Sequence, residues 1–195
     1  IICTAWLMKD CKKITDKIKK YVMKSVSKSR YEHSVRTAKT AKKMCSIYGE
    51  DPKKGYLMGI AHDMCKNFDE DNLILLAMKD GKGLSDIEKN KPSLLHGRAA
   101  AVMLQEEFGI EDKEIIQAVA NHTFGCRGMC NLAKILFAAD KIEPGRDYIT
   151  NSYIKKLLKQ DLDDVIKTVL SDNISYLKKK GKKVALETEL LYASL

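Results

Sequence analysis

A chain of 195 residues that is 45% apolar and 31% charged, with only 11 glycines and 3 prolines, can bury a core and is neither collagen-like, low-complexity nor disordered. Its 35 Lys and Arg against 26 Asp and Glu leave a net charge of +9, which reads mainly as a solvated lysine surface and also steers anions inward. No run approaches the ~18 consecutive apolar residues of a membrane span. The apolar opening Ile1–Met8 lacks a basic flank and a small-residue cleavage site, so it does not read as a signal peptide. No membrane partner is expected, and the setting reads as cytoplasmic. The six cysteines, at 3, 11, 45, 65, 126 and 130, are scattered without a CxxC pair and read as reduced thiols.

In chain order the pattern is helical throughout. Residues 1–13 read as an N-terminal extension. Ile14, Ile18, Tyr21 and Val22 recur at helical spacing. Ser29-Arg30-Tyr31-Glu32 reads as a capping box opening a second helix that Gly49 stops. Asp51-Pro52 starts a third, running to about Met64. Leu73–Met78 is a short helix ended by Gly81, and Ser85 with Glu88 caps another turn. Further helices are expected from about Ser93 to Phe108, from Asp112 to about His122, and from Leu132 to Ile142, where Pro144-Gly145 cuts the last. Residues 151–195 read as two or three helices broken near Gln160 and Gly181. No stretch alternates as a strand and no segment reads as a linker. The expectation is an all-α fold in a single domain, with a core over 14–150 followed by C-terminal helices.

The chemistry sits in the histidines. There are four, His33, His62, His96 and His122, and each falls near a helix end. His62 is followed by Asp63. Asp140 lies in the apolar run Leu136-Phe137-Ala138-Ala139, where an unpaired carboxylate is costly to bury. Imidazole and carboxylate together suit borderline divalent ions such as iron, manganese or zinc. One ligand per helix lets a bundle converge them on a common core. Cys126 and Cys130 fit an ordinary glycine-flanked loop better than a zinc site.

The order His33, His62-Asp63, His96, His122, Asp140 resembles the HD-domain metal-dependent phosphohydrolases. The flanks are more specific: Arg30-Tyr31-Glu32-His33-Ser34, Gly59-Ile60-Ala61-His62-Asp63 with Lys66 and Phe68, Leu95-His96-Gly97, Asn121-His122-Thr123-Phe124-Gly125, and Ala138 through Arg146. Together they resemble the bacterial symmetrical diadenosine tetraphosphatases of the YqeK type over residues 14–190. Ala120-Asn121 and Cys65 depart from that pattern without removing a ligand.

The resemblance implies a helical bundle with a divalent metal in its core, iron first, with manganese, cobalt or another transition metal as alternatives. Its ligands would be His33, His62, Asp63 and Asp140. His96 and His122 would either form a second metal position or touch phosphate directly. Arg30, Lys66, Thr123 and Arg146 fall where the family holds the nucleotide, beside His33, Asp63, His96, His122 and Asp140. Asp63, His96, His122 and Arg146 would carry catalysis. The reaction expected is hydrolysis of diadenosine tetraphosphate to two ADP, the substrate being a dinucleoside polyphosphate. No nucleic acid is required, and a homodimer is left open. The alternatives are another HD phosphohydrolase acting on a different nucleotide, or a nucleotide- or RNA-binding module without turnover. The lysines at 178–180, 182 and 183 read better as a solvated helix end than as a cover over adenine and ribose, the role the resemblance implies for the C-terminal part.

Overall fold

The computed structural model describes the backbone of residues 3–195 and the side chains from Lys12 onward; Ile1, Ile2 and the side chains of the apolar opening, Cys3 and Cys11 among them, lie outside the described residues. Among the described residues there are eleven α-helices, one 3₁₀ turn and no strand. None of these helices is long and apolar enough to cross a membrane. The helices are α1 (Cys3–Ser25), α2 (Lys28–Ile47), α3 (Pro52–Ala61), α4 (Glu70–Met78), α5 (Asp86–Asn90), α6 (His96–Glu106), α7 (Lys113–Asn121), α8 (Asn131–Ile142), α9 (Asn151–Leu157), α10 (Leu162–Lys179) and α11 (Leu186–Ala193).

Several boundaries differ from the sequence expectation, among them the fourth helix, which begins at Glu70 behind its cap Asp69 rather than at Leu73. The first helix begins at Cys3, inside the stretch read as an extension. The second begins at Lys28, because Ser27, not Ser29, takes the extended capping conformation and accepts from the Arg30 N–H. The third ends at Ala61 rather than Met64, and the chain turns through residues 62–67. The helix expected from Ser93 splits at His96. Lys91 is held extended by the proline that follows it, Pro92–Leu95 form a 3₁₀ turn, and α6 starts afresh at His96. The Ser85–Glu88 capping box forms as expected, and the C-terminal region resolves into three helices.

The core centres on α8, where Ile135, Leu136, Phe137, Ala138 and Ala139 are all buried. Helix α8 packs against α2, α3, α7 and α10, while α6 bridges α4 and α7. Helices α2 and α3 lie closest together. Gly55 and Gly59, one turn apart, face Ala41, Cys45 and Ala38 on α2, and a Cβ at Gly59 would collide with the Ala38 backbone, 2.7 Å from its nitrogen. That approach sets the spacing between His33 on α2 and His62 at the end of α3.

Arg98 fixes the start of α6. Its Nε and Nη2 donate to the two Asp80 oxygens at 2.8 Å, and its Nη1 donates to buried Glu88 at 3.1 Å. Further bonds run to the carbonyls of Lys82 and Gly83. The α4–α5 connection is thereby clamped two residues from His96. Burial pushes the Asp80 carboxyl up, but the Arg98 hydrogen bonds outweigh it and hold it below the usual range.

Two consequences are measurable. Gly59→Ala should lower stability by about 2–3 kcal/mol through overpacking against helix backbone, read as a lower midpoint in chemical denaturation with an unchanged slope. Because Asp80 has a depressed folded pKa, the stability it contributes is present above the unfolded carboxylate pKa and is lost as pH falls through the folded value. Wild type should therefore exceed Asp80→Asn by about 1–3 kcal/mol near pH 7, a margin that narrows in acid. A gap independent of pH would assign the effect to packing alone.

Candidate metal centre

The four histidines and two aspartates meet in one buried place. His62 is the C-cap of α3, His96 the C-cap of the 3₁₀ turn and His122 the C-cap of α7. At a helix end the last carbonyls lack intrahelical donors, and each of these rings supplies one. Nδ1 of His62 donates to Gly59 O, that of His96 to Ser93 O and that of His122 to Val119 O, all at 2.8 Å. A carbonyl only accepts, so in each neutral ring the proton sits on Nδ1 and Nε2 presents a lone pair. His33 lies inside α2, where the carbonyls are already engaged, and its Nδ1 instead meets Glu143 Oε1 at 3.1 Å.

All four Nε2 atoms point into the same space. His33 and His62 bring theirs to 3.3 Å, and His96 and His122 bring theirs to 3.1 Å. Asp63 stands between the two pairs. Its Oδ2 lies 3.8 Å from His33 and 3.5 Å from His62, while its Oδ1 lies 3.1 Å from His96 and 3.8 Å from His122. Asp140 Oδ1 completes the first group, 3.0 Å from His33 Nε2 and 3.8 Å from His62 Nε2. Two donor sets close enough to hold an ion follow: His33, His62 and Asp140, and His62, Asp63 and His122.

The donor chemistry fits a divalent ion. Lone pairs facing one another near 3 Å repel unless a cation lies among them, and every ring is pinned from behind, as metal-bound imidazoles are. Burial drives the His62 pKa down to about 4 and lowers His122, keeping both rings neutral and able to ligate. Burial also opposes charge on the carboxylates, yet His62, His122 and His96 hold Asp63 well below the usual range. Lys141, His33, His62 and Arg146 do the same for Asp140. For His33, burial is outweighed by Asp140 and Glu143, which raise its pKa, so a proton and a metal compete for its Nε2.

Cations ring the cluster. Arg30 Nη1 reaches Asp63 Oδ2 at 2.9 Å, and the Lys66 Nζ lies 3.2 Å from the His96 ring. Thr123 Oγ1 is at the edge of contact with His96 Nε2, 3.5 Å away. Arg146 donates through Nε and Nη2 to the Asp140 carbonyl, and Nη2 also reaches Asp140 Oδ1 at 2.9 Å. The arginine expected at phosphate thus also caps α8 and orients the Asp140 carboxylate. Arg30, His33, His62, Asp63, Lys66, His96, His122, Thr123, Asp140 and Arg146 thus lie in or around one cluster.

Three residues were not anticipated as parts of it. Glu143 accepts from the His33 ring, from Arg36 Nε at 2.6 Å and from the Gly145 N–H at 2.6 Å. Arg36 is the second. The third, Lys141, donates to His122 O at 3.0 Å and stands 3.5 Å from Asp140 Oδ2 and 3.7 Å above the Phe137 ring. The sequence carried no signal for them, since His33 read as a first-turn residue; with α2 starting at Lys28, His33 lies a turn further in, where its ring finds its second partner in another segment. Cys126 and Cys130 are free thiols outside both donor sets.

Comparison with known proteins agrees with this geometry. The HD domain family pattern matches residues 30–145. A protein of Halalkalibacterium halodurans named bis(5'-nucleosyl)-tetraphosphatase, symmetrical, is 33% identical over 87% of this chain and 90% of its own length. A Staphylococcus aureus protein of the same name is 36% identical over 67% of each chain. The crystal structure of a Clostridium acetobutylicum protein, described as a predicted HD superfamily hydrolase involved in NAD metabolism, superposes with a TM-score of 0.84 at 30% identity, covering 92% of this chain and 95% of that one.

Glu143→Gln should weaken metal binding about 10- to 100-fold while leaving the fold intact, because an outer carboxylate orients its imidazole and raises its basicity. Asp63→Ala, which removes the oxygens shared by both pairs, should abolish stoichiometric metal altogether. Elemental analysis and metal titration of the two variants check both outcomes. The chain belongs to the HD domain family, in the group whose curated relatives are named symmetrical bis(5'-nucleosyl)-tetraphosphatases.

Proposed function

We propose that this chain is a metal-dependent phosphohydrolase that cleaves diadenosine tetraphosphate symmetrically into two ADP. The observation that supports it most is Asp63, whose two oxygens face two separate histidine pairs beneath a rim of cations. Its curated relatives carry the name of that activity. The residues that would hold divalent metal are His33, His62, Asp63 and Asp140, with His96 and His122 at the second position. A divalent ion there supplies Lewis-acid polarisation of a phosphoryl oxygen and lowers the pKa of water. We assign iron to it, with manganese or cobalt as substitutes, since the donors are imidazole and carboxylate without thiolate.

The protein groups supply the rest. Arg30, more exposed than the Asp63 carboxylate it pairs with, directs its remaining N–H groups toward incoming phosphate, where a planar fork binds best. Lys66, whose pKa burial lowers, contributes a compact charge beside His96, and Thr123 a hydroxyl. Arg146 holds the Asp140 carboxylate and stabilises charge on the leaving ADP. The overall positive charge draws a polyanion toward the cluster. Water attacks one central phosphorus, the bridging P–O bond breaks, and each half leaves as ADP. A cytoplasmic enzyme with reduced thiols suits such a substrate.

Product analysis tests the reaction. The protein purified without oxygen should contain iron and convert diadenosine tetraphosphate to ADP alone. AMP plus ATP would assign a different hydrolase, and no turnover by metal-replete protein would leave a binding module. Chelation should remove activity, and readdition of iron(II) should restore it.

A further inference from the structure

Charge is spread unevenly along this chain. Residues 12–54, which form most of α1, all of α2 and the start of α3, hold 14 Lys and Arg against 4 Asp and Glu, a net +10. The whole chain carries +9, so everything outside that segment sums to −1. Three of these lysines converge. Lys12 on α1, Lys42 on α2 and Lys53 on α3 line one cleft of about 330 Å³, in which Asp16 is the single carboxylate. All three are exposed, and among the described residues none of them makes an ion pair. More exposed lysines follow on the same helices, at 13, 17, 20 and 24 on α1 and at 39 and 43 on α2. The cleft stands apart from the metal centre. Lys42 comes nine residues after His33 and Lys53 nine before His62, about 13 Å of helix in each case.

We propose that this face docks double-stranded RNA by its phosphate backbone, with one phosphate seated among Lys12, Lys42 and Lys53. Unpaired ammonium groups gathered on one face repel one another and attract a polyanion. Cations distributed over three helices exceed what a small anion can neutralise, whereas a phosphodiester chain meets them in series. Nothing on the face reads base edges. Residues 12–54 contain no Asn or Gln, and their two arginines are held by carboxylates, Arg30 by Asp63 and Arg36 by Glu143. Stacking platforms for unpaired bases are also missing, since Tyr21 packs edge-on against Phe108 and the Tyr48 hydroxyl donates to Gln160 O. Met23 and Ile47 are the only large apolar side chains exposed in this segment, too few to anchor it in a bilayer. Recognition by shape and backbone is how a double helix of RNA is bound. Ser27 and Ser29, exposed on either side of Lys28, offer hydroxyls to the 2′-hydroxyls that DNA lacks.

Fluorescence anisotropy of a labelled RNA duplex of about 20 base pairs, titrated with metal-replete protein, tests the assignment. The logarithm of the binding constant should fall linearly with the logarithm of salt concentration, with a slope of about −5. A Lys12→Gln/Lys42→Gln/Lys53→Gln variant should melt and turn over substrate like wild type, because none of the three touches the metal centre. It should bind the duplex at least about ten-fold more weakly and lose about 3 from the slope. Lys155→Gln/Lys156→Gln/Lys159→Gln removes as much charge from exposed positions on and just after α9 and should bind RNA like wild type. Saturating ADP should leave the duplex bound. Equal weakening by both triple variants would reduce the effect to diffuse net charge and overturn the docking face, and displacement by ADP would move the RNA to the metal centre. A DNA duplex of the same sequence bound as tightly, preferential capture by phosphatidylserine vesicles, or wild type that binds no duplex would each overturn the assignment to RNA.

Discussion

Four imidazole nitrogens and two carboxylates share one buried space, and their mutual repulsion is the constraint on which the structure turns. The Nε2 atoms of His33 and His62, and those of His96 and His122, approach to 3.3 and 3.1 Å. Such an arrangement costs stability unless a cation occupies it or the surrounding helices enforce it. Here the helices do enforce it. Glycine contacts seat α3 against α2, the Arg98 network fixes the start of α6, and the apolar core under α8 carries Asp140 into the cluster.

Orientation of the rings is solved locally three times and globally once. His62, His96 and His122 each use the same device, a bond from Nδ1 to the carbonyl three residues back, available because each ring terminates a helix. That bond satisfies an orphan acceptor and selects the tautomer that exposes Nε2. His33 has no free carbonyl within α2, so Glu143 orients it across the fold, itself gripped by Arg36 and the Gly145 N–H. The same stretch, from Asp140 to Arg146, therefore supplies a carboxylate to the cluster, a brace for a ring and a guanidinium that caps its own helix.

The electrostatics divide the site into two compartments with different chemistry. Around Asp63 and Asp140, buried charge is held by cations that also suit phosphate. Past Lys141 the lining of the adjoining cleft turns aromatic, with Tyr148, Tyr153 and Tyr176 beside Lys179. The lysines at and just past the end of α10, at 178, 179, 180, 182 and 183, are exposed and fit a solvated helix end, adding to the general positive field.

The all-α class, most helix positions and the six residues of the cluster were legible in the sequence, because apolar periodicity, caps and glycine stops are local and because a lone carboxylate in an apolar run demands a partner. Boundaries were less legible where two signals competed, as at Ser27 against Ser29, or where a proline imposed a 3₁₀ turn ahead of His96. Spacing along the chain placed His33, His62, Asp63, His96, His122 and Asp140 in one set, yet it did not show that Asp63 would turn one oxygen to each pair. That division, the Glu143 brace behind His33, the capping role of Arg146 and the tyrosine cleft exist only once α2, α3, α8 and α10 are packed. They depend on distances between segments as much as 110 residues apart in sequence, set by side-chain volumes and helix approach and not by any local pattern.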